Sequence, residues 1–200
     1  MNNIAFCFDL DGTITKEEIL PLLAKEINLF EEINVLTDIT MRGMMRFEQS
    51  FKLRVKLLSE IKISLAQNIV EMVEIDKDIC NFIHENKNNC YVISGNLDVW
   101  IAKIIKKLDC KCFCSSALYK NDKIVDILNI IKKDEVINNL KKQYKTVIAV
   151  GDGMNDADMF KKSDISIAFG GFRNPSQSLI ELSDYVIFNG ASLCKMLKML

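Results

Sequence analysis

Short apolar segments that alternate with helical stretches are the feature that most constrains the fold of this chain. Ile4–Phe8 is apolar at every position, as expected for a parallel strand that is covered on both faces. Further strands are predicted at 91–93, 146–150, 165–169 and 185–187, with a weaker candidate at 112–115. Helical spacing is found at 97–108, 133–142, 157–162 and 176–182. This alternation predicts an α/β fold with a doubly wound, mainly parallel sheet.

A long interval without a strand-like segment follows the first predicted strand. Residues 15–74 contain only amphipathic helix patterns, whereas a crossover between parallel strands needs only about a dozen residues. We therefore expect a helical cap of residues 15–74 inserted into a core made of residues 1–14 and 75–200. The cap leaves the sheet at the edge where open α/β proteins bind ligands, which makes it a candidate lid. Residues 118–127 are predicted to form a small hairpin.

The charge, hydropathy and cysteine content of the chain limit which binding partners and which cellular location we expect. Lys and Arg total 26 and Asp and Glu total 27, a net charge of -1 that argues against nucleic-acid binding through bulk charge. The apolar runs are too short to span a bilayer, and no signal peptide is recognisable, so we expect no membrane partner and a cytoplasmic location. The seven cysteines are then reduced. Cys110, Cys112 and Cys114 are interpreted as structural thiols, because His84 is the only histidine that could complete a metal site.

Two acidic turns carry the strongest chemical signal. Asp9 and Asp11 follow the first strand, and Asp152 and Asp156 follow a later one. The carboxyl ends of parallel strands meet at one edge of a sheet, so these four carboxylates are expected to raise one another's pKa unless a cation compensates. Oxygen ligands beside a phosphate suit Mg²⁺. Asp158 is better explained as the acidic residue at the start of a helix.

Two other segments allow a functional and a plain structural interpretation. Ser94 and the backbone around Gly95 can form an anion site at the start of a helix, or Ser94 or Asn96 can simply cap that helix. Lys132 and Lys133 precede another helix, where a lysine is most often a solvated surface residue. The residue types alone leave both pairs of alternatives open.

The order of these motifs resembles that of the haloacid dehalogenase superfamily of phosphohydrolases over essentially the whole chain. The motifs are DLDGT at 9–13, a serine at 94, a lysine at 133 and GDGMND at 151–156. Within that superfamily, the chain is most similar to the phosphoserine phosphatases, whose helical cap is inserted after the first motif. One departure is Asn96, where the family often has a second glycine after the motif serine.

The resemblance implies a role for each motif residue. Asp9 is the implied nucleophile that forms an aspartyl-phosphate, and Asp11 is the implied general acid and then general base. The phosphate-binding residues implied by the resemblance are Ser94, Gly95, Lys133 and Asn155. The implied Mg²⁺ ligands are Asp9, Asp152, Asp156 and the backbone carbonyl of Asp11.

The cap carries a second layer of similarity. Residues 44–55 closely resemble the cap segment of phosphoserine phosphatases. The similarity implies that Glu18 faces the substrate amino group, that Arg54 holds its carboxylate, and that Met41 and Phe47 are apolar contacts. Arginine suits a bidentate grip on a carboxylate, although charged residues of such an insert are more commonly exposed. The segment 169–175 has no counterpart in the resemblance.

The expected activity is therefore Mg²⁺-dependent hydrolysis of a small phosphomonoester, O-phosphoserine in the first place. Alternatives within the enzyme class are another phosphomonoester, such as a methylthio-sugar enol phosphate, and phosphoryl transfer to an acceptor alcohol. A receiver-like phospho-accepting module also pairs acids, lysine and Mg²⁺, but it has no long helical insert. A dehalogenase is less consistent, because Asp11 would have no leaving alkoxide to protonate. A binding protein that has lost catalysis is disfavoured, since every candidate catalytic position holds a competent side chain. The oligomeric state is left open.

Overall fold

The computed structural model describes residues 4–200, which form a seven-stranded sheet and ten α-helices. The strands are β1 Ile4–Phe8, β2 Cys90–Leu97, β3 Lys111–Lys120, β4 Lys123–Asn129, β5 Thr146–Gly151, β6 Ile165–Phe169 and β7 Tyr185–Ile187. The helices are α1 Ile19–Ala24, α2 Phe30–Met41, α3 Phe47–Leu58, α4 Ile63–Glu71, α5 Lys77–Glu85, α6 Asp98–Leu108, α7 Lys133–Leu140, α8 Ala157–Lys162, α9 Gln177–Leu182 and α10 Gly190–Leu197.

The sheet has the order β4-β3-β2-β1-β5-β6-β7, and only the β3–β4 pair is antiparallel. This confirms the predicted α/β fold with a mainly parallel sheet. The β3–β4 pair is the predicted hairpin, and its turn residues Asn121 and Asp122 have φ of 51° and 62°. Two successive residues with left-handed backbone are typical of the tight turns that match the twist of a hairpin.

The central strand β1 is buried on both faces because its alternate side chains enter two different cores. Ala5 and Cys7 belong to a cluster that also contains residues of α7, α8 and α9. Phe6 and Phe8 belong to a larger cluster with residues of α5, α6, α10 and the inserted helices. Each core is filled from a helical layer, so the uniformly apolar sequence of Ile4–Phe8 follows from its central place in the sheet.

The helices α1–α4 lie between β1 and α5 in the chain, within the predicted cap. An isolated antiparallel bridge joins Thr15 to Ile75, the positions where the chain enters and leaves this segment. The helix α4 also packs against α6 of the core, where Gln67 Nε2 donates to Val99 O at 2.8 Å. The cap boundaries at 15 and 74 stay a prediction.

The predicted strand at 91–93 is shorter than the observed one. β2 runs on to Leu97 because its pairing with β3 continues after a bulge, with Ser94 opposite Cys114 and Leu97 opposite Ser115. The helix α6 therefore begins only at Asp98, and its N-cap residue is Leu97. Neither Ser94 nor Asn96 caps this helix, which removes the plain structural interpretation of that segment.

The alternating cysteines before and within the first part of β3 are free thiols that are partly buried and pack against the larger core. The interpretation of Cys110, Cys112 and Cys114 as structural residues agrees with this position. His84 Nε2 lies 3.1 Å from Lys107 O, and within residues 4–200 no metal-capable group of side chains combines it with these cysteines. Within residues 4–200, no helix has the length and apolar character needed to cross a bilayer.

Candidate active site

The two acidic turns meet because β1 and β5 are neighbours in the sheet. Asp9 follows β1, Asp152 follows β5, and Asp156 lies one short 3₁₀ turn further on. One carboxylate oxygen from each of the three residues lies within 4.8 Å of the others, and all three side chains are buried. Gly12 permits this approach, since its φ is 66° and a Cβ there would overlap the carboxylate of Asp152.

Lys133 provides a cation that contacts two members of this acidic group. Its Nζ donates to Asp9 Oδ1 and to Asp156 Oδ1, each at 2.6 Å, and its side chain is 5% exposed. Burial alone lowers the pKa of Lys133, but the carboxylates of Asp156 and Asp9 outweigh that effect and raise it. Lys133 is therefore a fixed positive charge inside the site. Its neighbour Lys132 is exposed and pairs with Glu135 at 2.9 Å.

Both carboxylate oxygens of Asp156 accept hydrogen bonds inside the site. Its Oδ1 accepts from Lys133, and its Oδ2 accepts from the backbone N–H groups of Asp152 at 3.1 Å and Gly153 at 3.3 Å. Asp156 thus fixes the turn after β5 and the position of the lysine. Asp158, by contrast, is exposed in the first turn of α8 and pairs with Lys161, as expected for an acid at the start of a helix.

The acidic group carries the electrostatic signature of a cation site. Burial first, then Asp156, raises the pKa of Asp9 to about 7, although Lys133 opposes the shift. Burial, and next the charge of Asp9, raises the pKa of Asp152 well above its usual range. A hard divalent cation relieves this repulsion, and carboxylate oxygens are the donors that Mg²⁺ prefers. The carboxylates of Asp9, Asp152 and Asp156 therefore fit a metal ion.

Asp11 lies outside the acidic group and faces the cap. Its Oδ1 accepts from the backbone N–H of Ile19 at 2.8 Å, and its Oδ2 accepts from Asn96 Nδ2. Burial raises the pKa of Asp11, and the hydrogen bond from Ile19 partly offsets the rise. A raised pKa suits a carboxyl group that must donate a proton. Asn96, which departs from the family pattern, thus orients the candidate general acid.

The predicted phosphate ligands lie on β2, at the start of α7 and in the turn after β5. Ser94 is fully buried within β2, where its Oγ accepts from the N–H of Asn96 at 3.1 Å. Gly95 and Asn155 line a small cavity together with Asp9. The Asn155 Oδ1 atom is buried, and no residue in 4–200 donates a hydrogen bond to it. An unsatisfied buried amide oxygen is costly unless a ligand or water pairs with it.

Arg54 of α3 reaches the same cavity from the cap. It is 4% exposed, which contradicts the alternative of a solvated helix residue. Its Nη1 donates to Thr37 Oγ1 at 3.0 Å and its Nε to Ser50 O at 3.4 Å, but no carboxylate in residues 4–200 forms an ion pair with it. Burial lowers the pKa of Arg54 to about 10, partly opposed by Asp11. A buried guanidinium without a counter-ion is suited to an anionic ligand.

Glu18 also lines the cavity, but it has a partner that sequence reasoning missed. Arg173, in the loop after β6, contacts Glu18 Oε1 through Nη2 and donates from Nε to Asp152 Oδ2 at 2.9 Å. The sequence did contain a signal for Arg173. The segment 169–175, which has no counterpart in the family resemblance, comes at the end of a predicted strand, so it emerges at the same sheet edge as Asp9 and Asp152.

The cap is closed over this site. Met41 packs on Gly153 and the Phe47 ring packs on Gly95, so closely that a Cβ at either glycine would overlap them. The cavity between the cap and Asp9 has a volume of about 30 Å³, which is room for about one water molecule. A groove of about 1360 Å³ between α3 and β4 borders it and shares Phe47 in its wall. A ligand larger than water therefore needs the walls of this cavity to move apart.

Comparison with known proteins agrees with this geometry. Residues 5–164 match the family model described as haloacid dehalogenase-like hydrolase. The phosphoserine phosphatase of Methanocaldococcus jannaschii is 31% identical over 175 residues, 81% of this chain and 83% of the relative. That of Lactococcus lactis is 26% identical over 174 residues, 80% of this chain and 81% of the relative.

Solved structures give the same result. A phospho-aspartyl intermediate analogue of phosphoserine phosphatase superposes with a TM-score of 0.86 at 28% identity and covers 98% of each chain. A substrate-bound phosphoserine phosphatase complex superposes with a TM-score of 0.85 at 28% identity, covering 100% of this chain and 99% of the other. The chain belongs to the haloacid dehalogenase-like hydrolase family and is a phosphoric monoester hydrolase.

Proposed function

We propose that this protein is a Mg²⁺-dependent phosphatase that hydrolyses O-phosphoserine to serine and phosphate. The observation that supports this substrate is the position of the Arg54 guanidinium. It is buried without an ionic partner in the cavity that also contains Asp9 and Asp11. Phosphoserine offers a carboxylate for this cation and a phosphate for the acidic end of the cavity. The names of the relatives support the same substrate.

The side chains present can carry out hydrolysis in two steps. In the first, a carboxylate oxygen of Asp9 bonds to phosphorus, the ester P–O bond breaks, and Asp11 gives its proton to the serine oxygen. In the second, water attacks the aspartyl-phosphate, Asp11 takes the proton from that water, and inorganic phosphate leaves with Asp9 restored. This is covalent catalysis with one group that reverses its acid–base role.

The phosphoryl group needs positive charge and hydrogen-bond donors on every side. Lys133 Nζ already contacts Asp9, so it lies next to the reacting phosphorus. The hydroxyl of Ser94, the backbone N–H near Gly95 and the Asn155 amide are the remaining candidate donors. A magnesium ion held by Asp9, Asp152, Asp156 and the Asp11 carbonyl would neutralise charge on the phosphoryl oxygens.

The cap completes the selection of the substrate. Arg54 binds the serine carboxylate, Glu18 accepts from its ammonium group, and Met41 and Phe47 cover the apolar part of the molecule. Because Met41 and Phe47 pack on Gly153 and Gly95 in the closed state, cap closure also excludes bulk water from the aspartyl-phosphate.

The direct test is phosphate release from a panel of small phosphomonoesters that includes O-phosphoserine, with Mg²⁺ and with EDTA. We expect phosphoserine to be preferred, EDTA to abolish turnover, and Asp9→Asn to remove activity while thermal unfolding shows an intact fold. Activity that survives Asp9→Asn or EDTA would refute the mechanism. If phosphoserine is ignored while another ester is hydrolysed, the substrate assignment fails and the reaction class stands.

A further inference from the structure

Arg173 forms a bridge that the proposed mechanism does not use. Its Nε donates to Asp152 Oδ2 at 2.9 Å, and its Nη2 contacts Glu18 Oε1. Asp152 belongs to the core and is fully buried, whereas Glu18 immediately precedes the first helix of the inserted segment. One guanidinium therefore joins a candidate metal ligand to the residue proposed to bind the substrate ammonium group.

The loop that carries Arg173 is itself anchored. Phe172 packs edge-to-face on Phe169 at the end of β6, with ring centroids 5.8 Å apart. Lys16, next to the bridge between Thr15 and Ile75, lies over the Phe172 ring with Nζ 5.9 Å from its centroid. These contacts anchor the residue next to Arg173, and the Arg173 side chain itself is held by Asp152 and Glu18.

Glu18 has little else to orient it. It occupies the N-cap position of α1, yet its side chain accepts no hydrogen bond from the helix backbone. Among residues 4–200, Arg173 is the one cationic side chain in ion-pair contact with it. An ionised carboxylate offers about four lone-pair sites, so a contact with Arg173 at Oε1 leaves capacity for a second donor.

We infer that Arg173 is a positioning residue that sets the preference of this enzyme for substrates with an ammonium group. It acts through Glu18: the guanidinium holds the carboxylate in one orientation, at the wall of the cavity that contains Asp9 and Asp11. Preorganising a binding group reduces the cost of ordering it when substrate binds. The inference rests on the proposed function, because it assumes an amino acid phosphate as substrate.

The test compares O-phosphoserine with 3-phosphonooxypropionate, which is the same molecule without its amino group. The measured quantity is the ratio of kcat/KM for the two substrates at saturating Mg²⁺. We expect Arg173→Gln to lower that ratio about tenfold, the loss of roughly one charge-assisted hydrogen bond. Glu18→Gln should lower it by a similar factor, and the double variant should add little, because both changes remove the same interaction.

Two further variants separate orientation from charge and from general effects. Arg173→Lys keeps the charge but cannot reach both carboxylates in the same planar geometry, so we expect it to recover only part of the ratio. Arg42→Gln is the matched control, since Arg42 is an exposed cap arginine that pairs with Asp38. It should leave the ratio unchanged. Thermal shifts on Mg²⁺ addition, measured without substrate, report whether Arg173 acts instead on the metal site.

Each outcome decides the matter. An unchanged ratio in Arg173→Gln overturns the inference. So does an equal loss of kcat/KM for both substrates together with a smaller Mg²⁺-induced thermal shift, because Arg173 would then act on Asp152. Full additivity with Glu18→Gln also overturns it. If the wild-type protein hydrolyses other esters but not phosphoserine, the proposed substrate is wrong, and the inference fails with it. If the wild type hydrolyses phosphoserine, the variants test the role of Arg173 alone.

Discussion

Replacing Arg54 by methionine should separate the stability of the fold from recognition of the substrate. Arg54 is 4% exposed and has no carboxylate partner among residues 4–200. Burial lowers its pKa to about 10 from 12.5, a shift that corresponds to about 3 kcal/mol against the charged form in the folded state. Methionine fills much of the same space with an apolar, adaptable side chain. The fold should therefore tolerate this substitution.

The hydrogen bonds of Arg54 offset part of the gain. Each contributes about 1 kcal/mol, and neither partner becomes unsatisfied, because Thr37 Oγ1 still donates to Ile33 O and Ser50 O lies within α3. We expect Arg54→Met to be more stable by about 1 kcal/mol, which raises Tm by about 2–4 °C for a domain of this size. The measurement is thermal unfolding without substrate or metal.

Catalysis should respond in the opposite direction. Losing a charged, bidentate contact to the substrate carboxylate costs about 3 kcal/mol, or about 150-fold in kcat/KM for O-phosphoserine. Arg54→Lys, which keeps the charge but not the fork geometry, should give an intermediate loss. An Arg54→Met variant that unfolds several degrees lower than the wild type would contradict the stability prediction. One that hydrolyses phosphoserine within about threefold of the wild-type rate would contradict the role of Arg54 in substrate binding.

The site supports three other predictions. Burial raises the pKa of Asp9 to about 7 and that of Asp152 well above its usual range. The folded protein without metal therefore holds protons that the unfolded chain has lost. Its free energy of unfolding should fall as pH rises from about 4 to about 7. Mg²⁺ binds the deprotonated acids, so its thermal stabilisation should be larger at about pH 7.5 than at about pH 5.5; equal shifts would contradict this. Gly95→Ala places a methyl group against Phe47 and should lower kcat/KM at least about tenfold by hindering cap closure. Adding Phe47→Leu should recover part of the loss if the steric explanation is correct.

The sequence could predict the fold because its signals are local and repeated. Ile4–Phe8 is apolar throughout, and that pattern identified a central parallel strand. The hairpin around Asn121 and Asp122 was predictable from residues that tolerate left-handed backbone. The exact end of β2 at Leu97 was not, because the bulge depends on pairing with β3, a segment distant in the chain.

In the candidate site, too, some features could be predicted from the sequence and others could not. The sequence by itself determined that Asp9 and Asp152 would meet, because the carboxyl ends of parallel strands share one edge and both turns follow apolar strands. Only the tertiary structure decided that Asp156 has both oxygens engaged and that Arg173 joins Asp152 to Glu18. The reason is physical: strand pattern fixes where a backbone segment emerges, whereas the partner of a long charged side chain depends on the packing of loops and helices far apart in the sequence.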